Sequence, residues 1–503
     1  FEGNNCELDI DECATNNGGC TGTRSDCVNT MGSHYCIDSS TVMAYPETVD
    51  TNAETYYNIA VISVNGRGAF PTDPNDWYYN QYMTFLQIWY DQTQLGDTLF
   101  DDADGVKSFF TEASFGKANF QGVVVDWYDD YDTPKTDDDI FYNHDFYIQE
   151  AYDKIDPTQY DIFMVVGLAS SGTTQIGWGM GNSVPAENGG RLFNKGLTYL
   201  INSSFYNTAG SSRFGSWVLP SVPWAHELFH TVGIFGHSNS LWCYPDLTTY
   251  QNSVTFDDLY YNASEALSDT CKINGYGDPF SLMGERLWAS HPSVASKIEM
   301  GWIEDDWMTS IDATTLFTEQ VVSLYPHNQS SISDNVAIQI DVPDFSINLT
   351  NGNVVTLNRI TIENRAVNGF DTYLSALGSG YRDHSFGMSW YLETTYSWYS
   401  QYSTGIYDLI YPIDTNGALI YLDSTDDNNE AVYLIDANPA SDGVITDEPS
   451  PKGHKGNAGK FANAMLNVGG TFSSDLLPFT VSIETGPNNG ANGEFNVRIT
   501  PNP

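Results

Sequence analysis

One segment of the chain, PWAHELFHTVGIFGH at residues 223–237, constrains both the local fold and the chemistry. Ser221 suits the N-cap of a helix, and Gly233 suits the left-handed turn that ends one. Pro223 fits the first turn, where its missing amide hydrogen leaves no bond unmade. The sequence therefore predicts a helix of about three turns that begins after Ser221 and ends at Gly233.

Two histidines, His226 and His230, are four positions apart on this helix and so lie on one face, where they can bind a single tetrahedral metal ion. Glu227 is placed to accept a proton from metal-bound water, whose pKa zinc lowers towards 7. A core helix with satisfied imidazoles would explain Leu228 and Phe229. It would not explain an acid between two histidines, because a buried unpaired carboxylate is costly. The pattern predicts two zinc ligands and a general base.

A third histidine, His237, follows the helix. After a turn at Gly233 the chain can double back and bring His237 to the same metal ion. Three protein ligands leave the fourth position to water, as a catalytic zinc ion requires. The segment therefore predicts a catalytic zinc site and not a structural one.

The stretch HELFHTVGIFGH resembles the metzincin signature HExxHxxGxxH, and YGDPFSLMG at 276–284 resembles the segment that carries the Met-turn. This resemblance implies that Met283 lies beneath the metal as an apolar floor and does not bind it. Flanking stretches, including HPSVASKIEMGW at 291–302, are similar to secreted metallopeptidases of the immune inhibitor A and gametolysin type. The similarity extends over roughly residues 55–503 and implies a protein-hydrolysing enzyme.

The signature departs from the metzincin pattern at one place. Three residues, 234–236, separate Gly233 from His237, where the pattern has two. The flexible backbone of the glycine at 236 can absorb the additional residue. Otherwise the third ligand is an acid elsewhere, such as Asp246.

The N-terminal stretch DIDECATNNGGCTGTRSDCVNTMGSHYC resembles the first four cysteines of a calcium-binding EGF-like module. The resemblance implies bridges Cys13–Cys27 and Cys20–Cys36. It also implies calcium bound by the side chains of Asp9, Glu12 and Asn29 and by the backbone carbonyls of Ile10, Thr30 and Ser33. An EGF-like fold without calcium is the alternative. The fifth and sixth cysteines do not follow, so the module at 9–40 is shortened.

Residues 1–8 resemble the tail of a preceding EGF-like module, with Cys6 as its last cysteine. We therefore expect the chain to be a piece of something longer. Cys243 and Cys271 remain as a third predicted pair. Disulfides indicate an extracellular protein, and four sequons agree with glycosylation. These sequons begin at Asn202, Asn262, Asn328 and Asn348.

The order of strand and helix patterns predicts an α+β protein in which the domains follow one another. After a linker at 41–54, apolar runs alternate with helical spacing over 55–310, as expected of a metzincin-like α/β peptidase domain. In the stretch DGVKSFFTEASFG the helical spacing predicts a helix that ends at Gly116. From 311 to 503 short β-branched runs separated by turns predict a β-sandwich-rich domain.

The charge balance excludes some functional classes. With 65 acidic residues against 19 lysines and arginines, the net charge is −46. Such a surface repels nucleic acid and anionic lipid and attracts divalent cations and basic peptides, although it can also serve solubility alone. No apolar run reaches the ~18 residues of a membrane span.

Two functional interpretations remain after the sequence has been considered. The first is a secreted zinc endopeptidase that acts on extracellular or cell-wall proteins. The second is a structural subunit of an extracellular glycoprotein filament or matrix, in which the peptidase fold is a scaffold and EGF-like modules contact copies of the chain or other matrix proteins. A zinc-stabilised binding module without catalysis ranks behind both. The intact Glu227 favours the enzyme, since a scaffold does not need it.

Overall fold

The structure of the chain is a computed structural model. It describes residues 26–30, 33–37, 42–45, 55–66, 105–129, 140, 142–169, 176–179, 183–186, 190–202, 221–233, 236–253, 263–284, 290–327, 335–366, 371, 417–423, 432–437, 439, 464–485 and 493–503. The fold is mixed α/β and rich in sheet, with many strands and few helices. It divides into two compact units, Phe1–Gly233 and Ile234–Pro503.

The first unit contains ten described strands and three described helices. The strands are β1 (Asp26–Thr30), β2 (Ser33–Ile37), β3 (Val42–Tyr45), β4 (Thr55–Gly66), β5 (Ala118–Asp129), β6 (Ile162–Ala169), β7 (Ile176–Gly179), β8 (Ser183–Ala186), β9 (Gly190–Phe193) and β10 (Gly196–Asn202). The helices are α1 (Val106–Ala113), α2 (His144–Ala151) and α3 (Ser221–Val232), and a 3-10 turn covers Pro157–Gln159.

Six of these strands form one sheet in the order β3-β5-β4-β6-β10-β7. The four central strands, β5, β4, β6 and β10, are parallel, and antiparallel strands close both ends. Parallel strands are normally buried on both faces and are rich in aliphatic residues. The central strands here contain runs such as Ile59–Ile62 and Val123–Val125, all of them buried.

Helices cover the two faces of this sheet. Successive side chains of a strand point to opposite faces. One set, including Ala60, Ile62 and Val165, packs with the buried side chains of α2. Elsewhere in the unit α1 packs against both β5 and α3, and α3 also lies against β7 and β10. Stacked rings of Phe110 and Phe229, with centroids 4.4 Å apart, join α1 to α3.

The second unit contains twelve described strands and two described helices. The strands are β11 (Ser238–Cys243), β12 (Thr270–Asn274), β13 (Met308–Asp312), β14 (Gln320–Leu324), β15 (Ala337–Leu349), β16 (Val354–Asn364), β17 (Gly417–Asp423), β18 (Val432–Ile435), β19 (Leu466–Asn467), β20 (Thr471–Ser473), β21 (Phe479–Thr485) and β22 (Phe495–Pro501). The helices are α4 (Leu247–Gln251) and α5 (Val294–Glu299), with 3-10 turns at Asp305–Trp307 and Ala313–Thr315.

Eight strands of the second unit form a mixed sheet in the order β12-β11-β18-β17-β16-β15-β13, with β19 beside β17. β12, at one end of this order, also pairs with the distal end of β15. A four-stranded antiparallel sheet has the order β14-β22-β21-β20. Side chains from both sheets belong to one hydrophobic core, which includes Ile340, Ile362 and Ile420 from the first sheet and Val481 and Val497 from the second.

The predicted strands and helices are found where the structure describes the chain, but α1 ends at Ala113 and not at the predicted Gly116. In α1 the four residues of the predicted apolar face, Val106, Phe109, Phe110 and Ala113, are all buried. The strands predicted after 311 correspond to β15 to β18, β21 and β22. The sequence did not predict that β11 and β12, which precede 311, would join the same sheet as β15 to β18. The predicted domain limits, at 8, 40, 54 and 310, stay predictions.

The N-terminal predictions fall largely outside the described residues. Asp9, Ile10, Glu12, Cys13 and Cys20 are not described, nor is Cys6. β1 and β2 pair antiparallel, with Cys27 opposite Cys36 and Thr30 opposite Ser33, and Asn29 lies in β1. The EGF-like module, its bridges and its calcium site therefore stay predictions. Among the described residues, the helices are too short or too polar to cross a membrane.

Candidate metal centre

The helix that carries the histidine pair is packed tightly against the sheet of the first unit. A Cβ atom on Gly179 of β7 would lie 1.7 Å from the carbonyl oxygen of Glu227, and one on Gly196 would lie 2.4 Å from a methyl group of Thr231. Only glycine permits so close an approach. The hydroxyls of Thr198 and Thr231 are 2.6 Å apart, and Thr231 also donates to the carbonyl of Glu227. β7 and β10 therefore fix the height and rotation of α3.

The helix ends as predicted but begins one residue earlier. Gly233 has a φ of 136°, in the range that favours glycine, and its amide donates to the carbonyl of Phe229 at 3.2 Å. The predicted N-cap, Ser221, is instead the first helical residue. A difference of one residue at a helix end is common, because the first turn lacks intrahelical acceptors for its amides.

Helical geometry brings the first two imidazoles together. The ring centroids of His226 and His230 are 4.9 Å apart, and the two rings are nearly perpendicular at 87°. Their exposed fractions are 2% and 6%, and Glu227 is 5% exposed. Three polar side chains are therefore buried within five positions of an otherwise apolar helix, which includes the buried Trp224, Leu228 and Phe229. Such burial is costly unless the groups serve as ligands or bond to each other.

The third histidine joins this pair. One ring nitrogen from each of His226, His230 and His237 can be chosen so that all three atoms lie within 4.8 Å of one another. His237 is partly exposed and directly precedes β11. Asp246, the alternative third ligand, has another role: its carboxylate caps α4 by accepting from the amide and the hydroxyl of Thr249. These bonds lower the pKa of Asp246.

The loop after β12 is bonded to the first residue of β11. The amide of Ser238 donates to the carbonyl of Met283 at 2.9 Å, and its hydroxyl donates to the carboxylate of Asp278 at 2.5 Å. Met283 is fully buried. Its predicted place beneath the metal stays a prediction. Cys243 and Cys271 form the predicted disulfide, and they are paired residues of β11 and β12.

A cluster of buried charged side chains, which we call the Arg365 cluster, contacts this loop at Phe280. Arg365 donates to the carboxylate of Glu363 at 2.7 Å, to that of Asp371 at 3.3 Å, and to the carbonyls of Phe280, His291 and Pro292. The Lys297 amine lies 3.0 Å from the Nδ1 atom of His291. These side chains are all fully buried or nearly so. The cluster therefore joins the segment around Phe280 to the start of α5 and the end of β16.

Burial shifts the pKa values of Glu363 and Asp278, and also that of His327, whose Nε2 atom lies 3.7 Å from the carboxylate of Glu363. Burial by itself raises the pKa of Glu363, but Arg365 and His327 outweigh it and hold that pKa at about 2. Burial raises the pKa of Asp278 to about 6, against the opposing effects of Ser238 and Arg365. Burial, assisted by Lys297, lowers the pKa of His327 to about 3. This cluster was not predicted from the sequence.

We expect His327 to make the chain sensitive to acid. Between pH 6.5 and pH 3 the unfolded chain binds a proton that the folded imidazole does not, so stability is lost as the pH falls. Between pH 7 and pH 5 this one group should lower the free energy of unfolding by about 2 kcal/mol. Urea denaturation of wild type and His327→Phe at both pH values measures the difference. An unchanged pH dependence in the variant would contradict the assignment.

The structure describes two of the four predicted glycosylation sites. Asn348 is exposed on β15, where a glycan can be accommodated, and Asn202 ends β10. Asn262 and Asn328 lie outside the described residues. Glycosylation at all four positions stays a prediction.

No family model matches the sequence, and no curated protein is significantly similar to it. Its function is therefore inferred from the residues of the site.

Proposed function

We propose that this chain is a secreted zinc-dependent endopeptidase. The observation that carries the proposal is the convergence of His226, His230 and His237, whose nitrogens lie within 4.8 Å of one another, with Glu227 on the same helix as the first two. A catalytic zinc site needs three protein ligands and an acid beside them. Here two ligands lie a helical turn apart, the third comes from beyond the helix, and the acid is adjacent to the first ligand.

The donor set fits zinc better than it fits a hard cation. Imidazole nitrogen is a preferred zinc ligand, whereas calcium and magnesium take oxygen ligands. The described cluster contains three imidazoles and no carboxylate. Copper and nickel also accept imidazole, so the choice among these metals rests on the three-ligand arrangement, which leaves zinc a fourth position for solvent.

The residues of the chain have distinct roles in this proposal. A bound zinc ion supplies a Lewis acid and an activated water at neutral pH. The three imidazoles hold the ion. Glu227 accepts the proton of the attacking water and passes it to the amine that leaves when the peptide bond breaks. β7 and β10 hold the backbone of this helix in place at Glu227 and Thr231.

The resemblance supports the remaining parts of the proposal. We propose that the sheet-rich fold includes a metzincin-like catalytic domain, with Met283 beneath the metal, and that its substrates are extracellular or cell-wall proteins. We also propose a calcium-binding EGF-like module at the N-terminus and an extracellular location. Substrate class inferred from a family is an association, so hydrolysis itself has to be measured.

Metal analysis of the purified chain tests the zinc site. We expect about one zinc ion per wild-type chain, and a loss of most of it in His230→Ala, because two imidazoles alone bind zinc much more weakly. His144→Ala, at a partly exposed histidine outside the cluster, is the matched control and should keep its zinc. Wild-type chain should cut an unfolded protein substrate, and a chelator should stop it. A wild-type chain without zinc, or equal zinc in both variants, would overturn the proposal.

A further inference from the structure

The side chain of His237 is restrained by different contacts from those that restrain His226 and His230. The rotations of His226 and His230 are restricted by a packed helix, and both rings are buried. His237 follows the helix end at Gly233 and is partly exposed. An exposed histidine side chain has several accessible rotamers, so a third ligand at this place needs a contact that selects one of them.

That contact is the ring of Tyr276. The ring centroids of His237 and Tyr276 are 4.0 Å apart, with an angle of 42° between the planes. Rings in such contact restrict each other's rotation and attract each other beyond the area that they bury. Both residues belong to the second unit, and the loop that carries Tyr276 directly follows β12.

Tyr276 is held in a costly backbone conformation. Its φ is +57°, in the left-handed region, which disfavours residues other than glycine. A conformation of this kind persists only when its surroundings enforce it, and it is often found at functional sites. Here the side chain of Asn239, two residues after His237, accepts a hydrogen bond from the Tyr276 amide at 3.1 Å.

The next residue brings the loop close to β11. A Cβ atom on Gly277 would lie 2.2 Å from the hydroxyl oxygen of Ser240 and from the side-chain nitrogen of Asn274. The Gly277 amide donates to the carbonyl of Asn274 at 3.1 Å. The loop therefore lies directly on the first residues of β11. Because β11 directly follows His237, these contacts hold the backbone of Tyr276 close to His237.

We propose that Tyr276 is a positioning residue for metal binding: its ring, held by a left-handed backbone, selects the rotamer in which His237 completes the three-imidazole site. This proposal rests on the zinc site proposed above. It requires no contact between Tyr276 and the metal or the substrate.

The test uses two variants of the full chain. Tyr276→Gly removes the ring and relieves the backbone, since glycine favours a positive φ, so the fold should not be weakened at this position. Tyr276→Phe keeps the ring and removes only the hydroxyl. Competition with a chromophoric chelator measures zinc affinity. We expect Tyr276→Gly to bind zinc at least about 10-fold more weakly, as is typical when a residue that orients a ligand is lost, and Tyr276→Phe to stay close to wild type.

A double-mutant cycle with His237→Ala shows whether Tyr276 acts through that ligand. If it does, Tyr276→Gly has no further effect on zinc affinity once His237 is absent. Wild-type affinity in Tyr276→Gly, or an equal loss with and without His237, would overturn the positioning role and leave the zinc site intact. A wild-type chain that binds no zinc would overturn both proposals. A chain that binds zinc but cuts no protein would overturn only the peptidase.

Discussion

Replacing Glu227 with glutamine is expected to lower the rate of protein hydrolysis by at least about 100-fold while zinc stays bound, because general-base catalysis contributes about 10²–10⁴-fold. Glutamine has nearly the same size as glutamate, so the packing of α3 is kept. Its amide cannot accept the proton of the attacking water. The measurements are kcat/KM on an unfolded protein substrate and the zinc content of the same sample.

The control for this substitution is Glu299→Gln. Glu299 is an exposed residue of α5, and its replacement changes the net charge by the same amount. It should leave both rate and zinc content at wild-type values. Full activity in Glu227→Gln would contradict the assigned base.

The same variant separates the enzyme from the structural subunit. If the chain builds a filament or matrix, electron microscopy or size-exclusion chromatography should show polymers in wild type and in Glu227→Gln alike. Polymers without hydrolysis would favour the scaffold interpretation. Hydrolysis that depends on Glu227 would favour the enzyme, whatever the state of assembly.

The largest expected loss of stability follows from replacing Arg365 with methionine. Glu363 and Asp371 would then keep buried carboxylates without their main counter-charge, and three backbone carbonyls would lose a donor. Breaking a buried ion pair from one side typically costs about 3–5 kcal/mol. Urea denaturation at neutral pH, followed by tryptophan fluorescence, measures the change.

A control lies six residues earlier in the chain, on β16. Arg359 is paired with Asp341 at 3.1 Å and lies 3.9 Å from Asp423, but its side chain is 27% exposed and that of Asp341 is 56% exposed. An exposed pair contributes about 0–1 kcal/mol, so Arg359→Met should have a small effect. The double variant Glu363→Gln/Arg365→Met should recover part of the loss, because it removes the uncompensated charge. Equal effects of the two arginine variants would contradict the role of burial.

Local patterns predicted the elements of this chain well. The helical spacing of Val106, Phe109, Phe110 and Ala113 identified α1 and its buried face, because side-chain periodicity depends only on local geometry. For the same reason the histidine pair and the turn at Gly233 could be predicted from a single segment. The disulfide between Cys243 and Cys271 was predicted because these two cysteines remained after the others had been assigned to EGF-like modules.

Contacts between distant segments could not be predicted in this way. The choice between His237 and Asp246 depended on where the chain leads after Gly233, and spacing alone left it open. β11 and β12 are paired with strands far along the chain, so their sheet order does not follow the sequence. The position of Tyr276 beside His237 is likewise a tertiary contact.

The Arg365 cluster was missed for a related reason. In the stretch ITIENRA, Glu363 and Arg365 alternate with other residues at the period of a strand. Such spacing places both on one face, and charged residues there indicate a face exposed to solvent. One signal was present, since arginine is scarce in a chain with only 19 lysines and arginines. A lone arginine beside a glutamate at the end of an aliphatic strand could have indicated a buried pair.

The pairing of β12 with β15 bears on how copies of this chain can meet. Thr270 and Cys271 of β12 are paired in parallel with Asn348 and Leu349 of β15. The rim of a sheet normally offers unused amides and carbonyls, which act as a template for a strand donated by a neighbour. Here β15 of the same chain occupies the edge of β12 at these two residues, so a strand from a neighbouring copy cannot pair with β12 there.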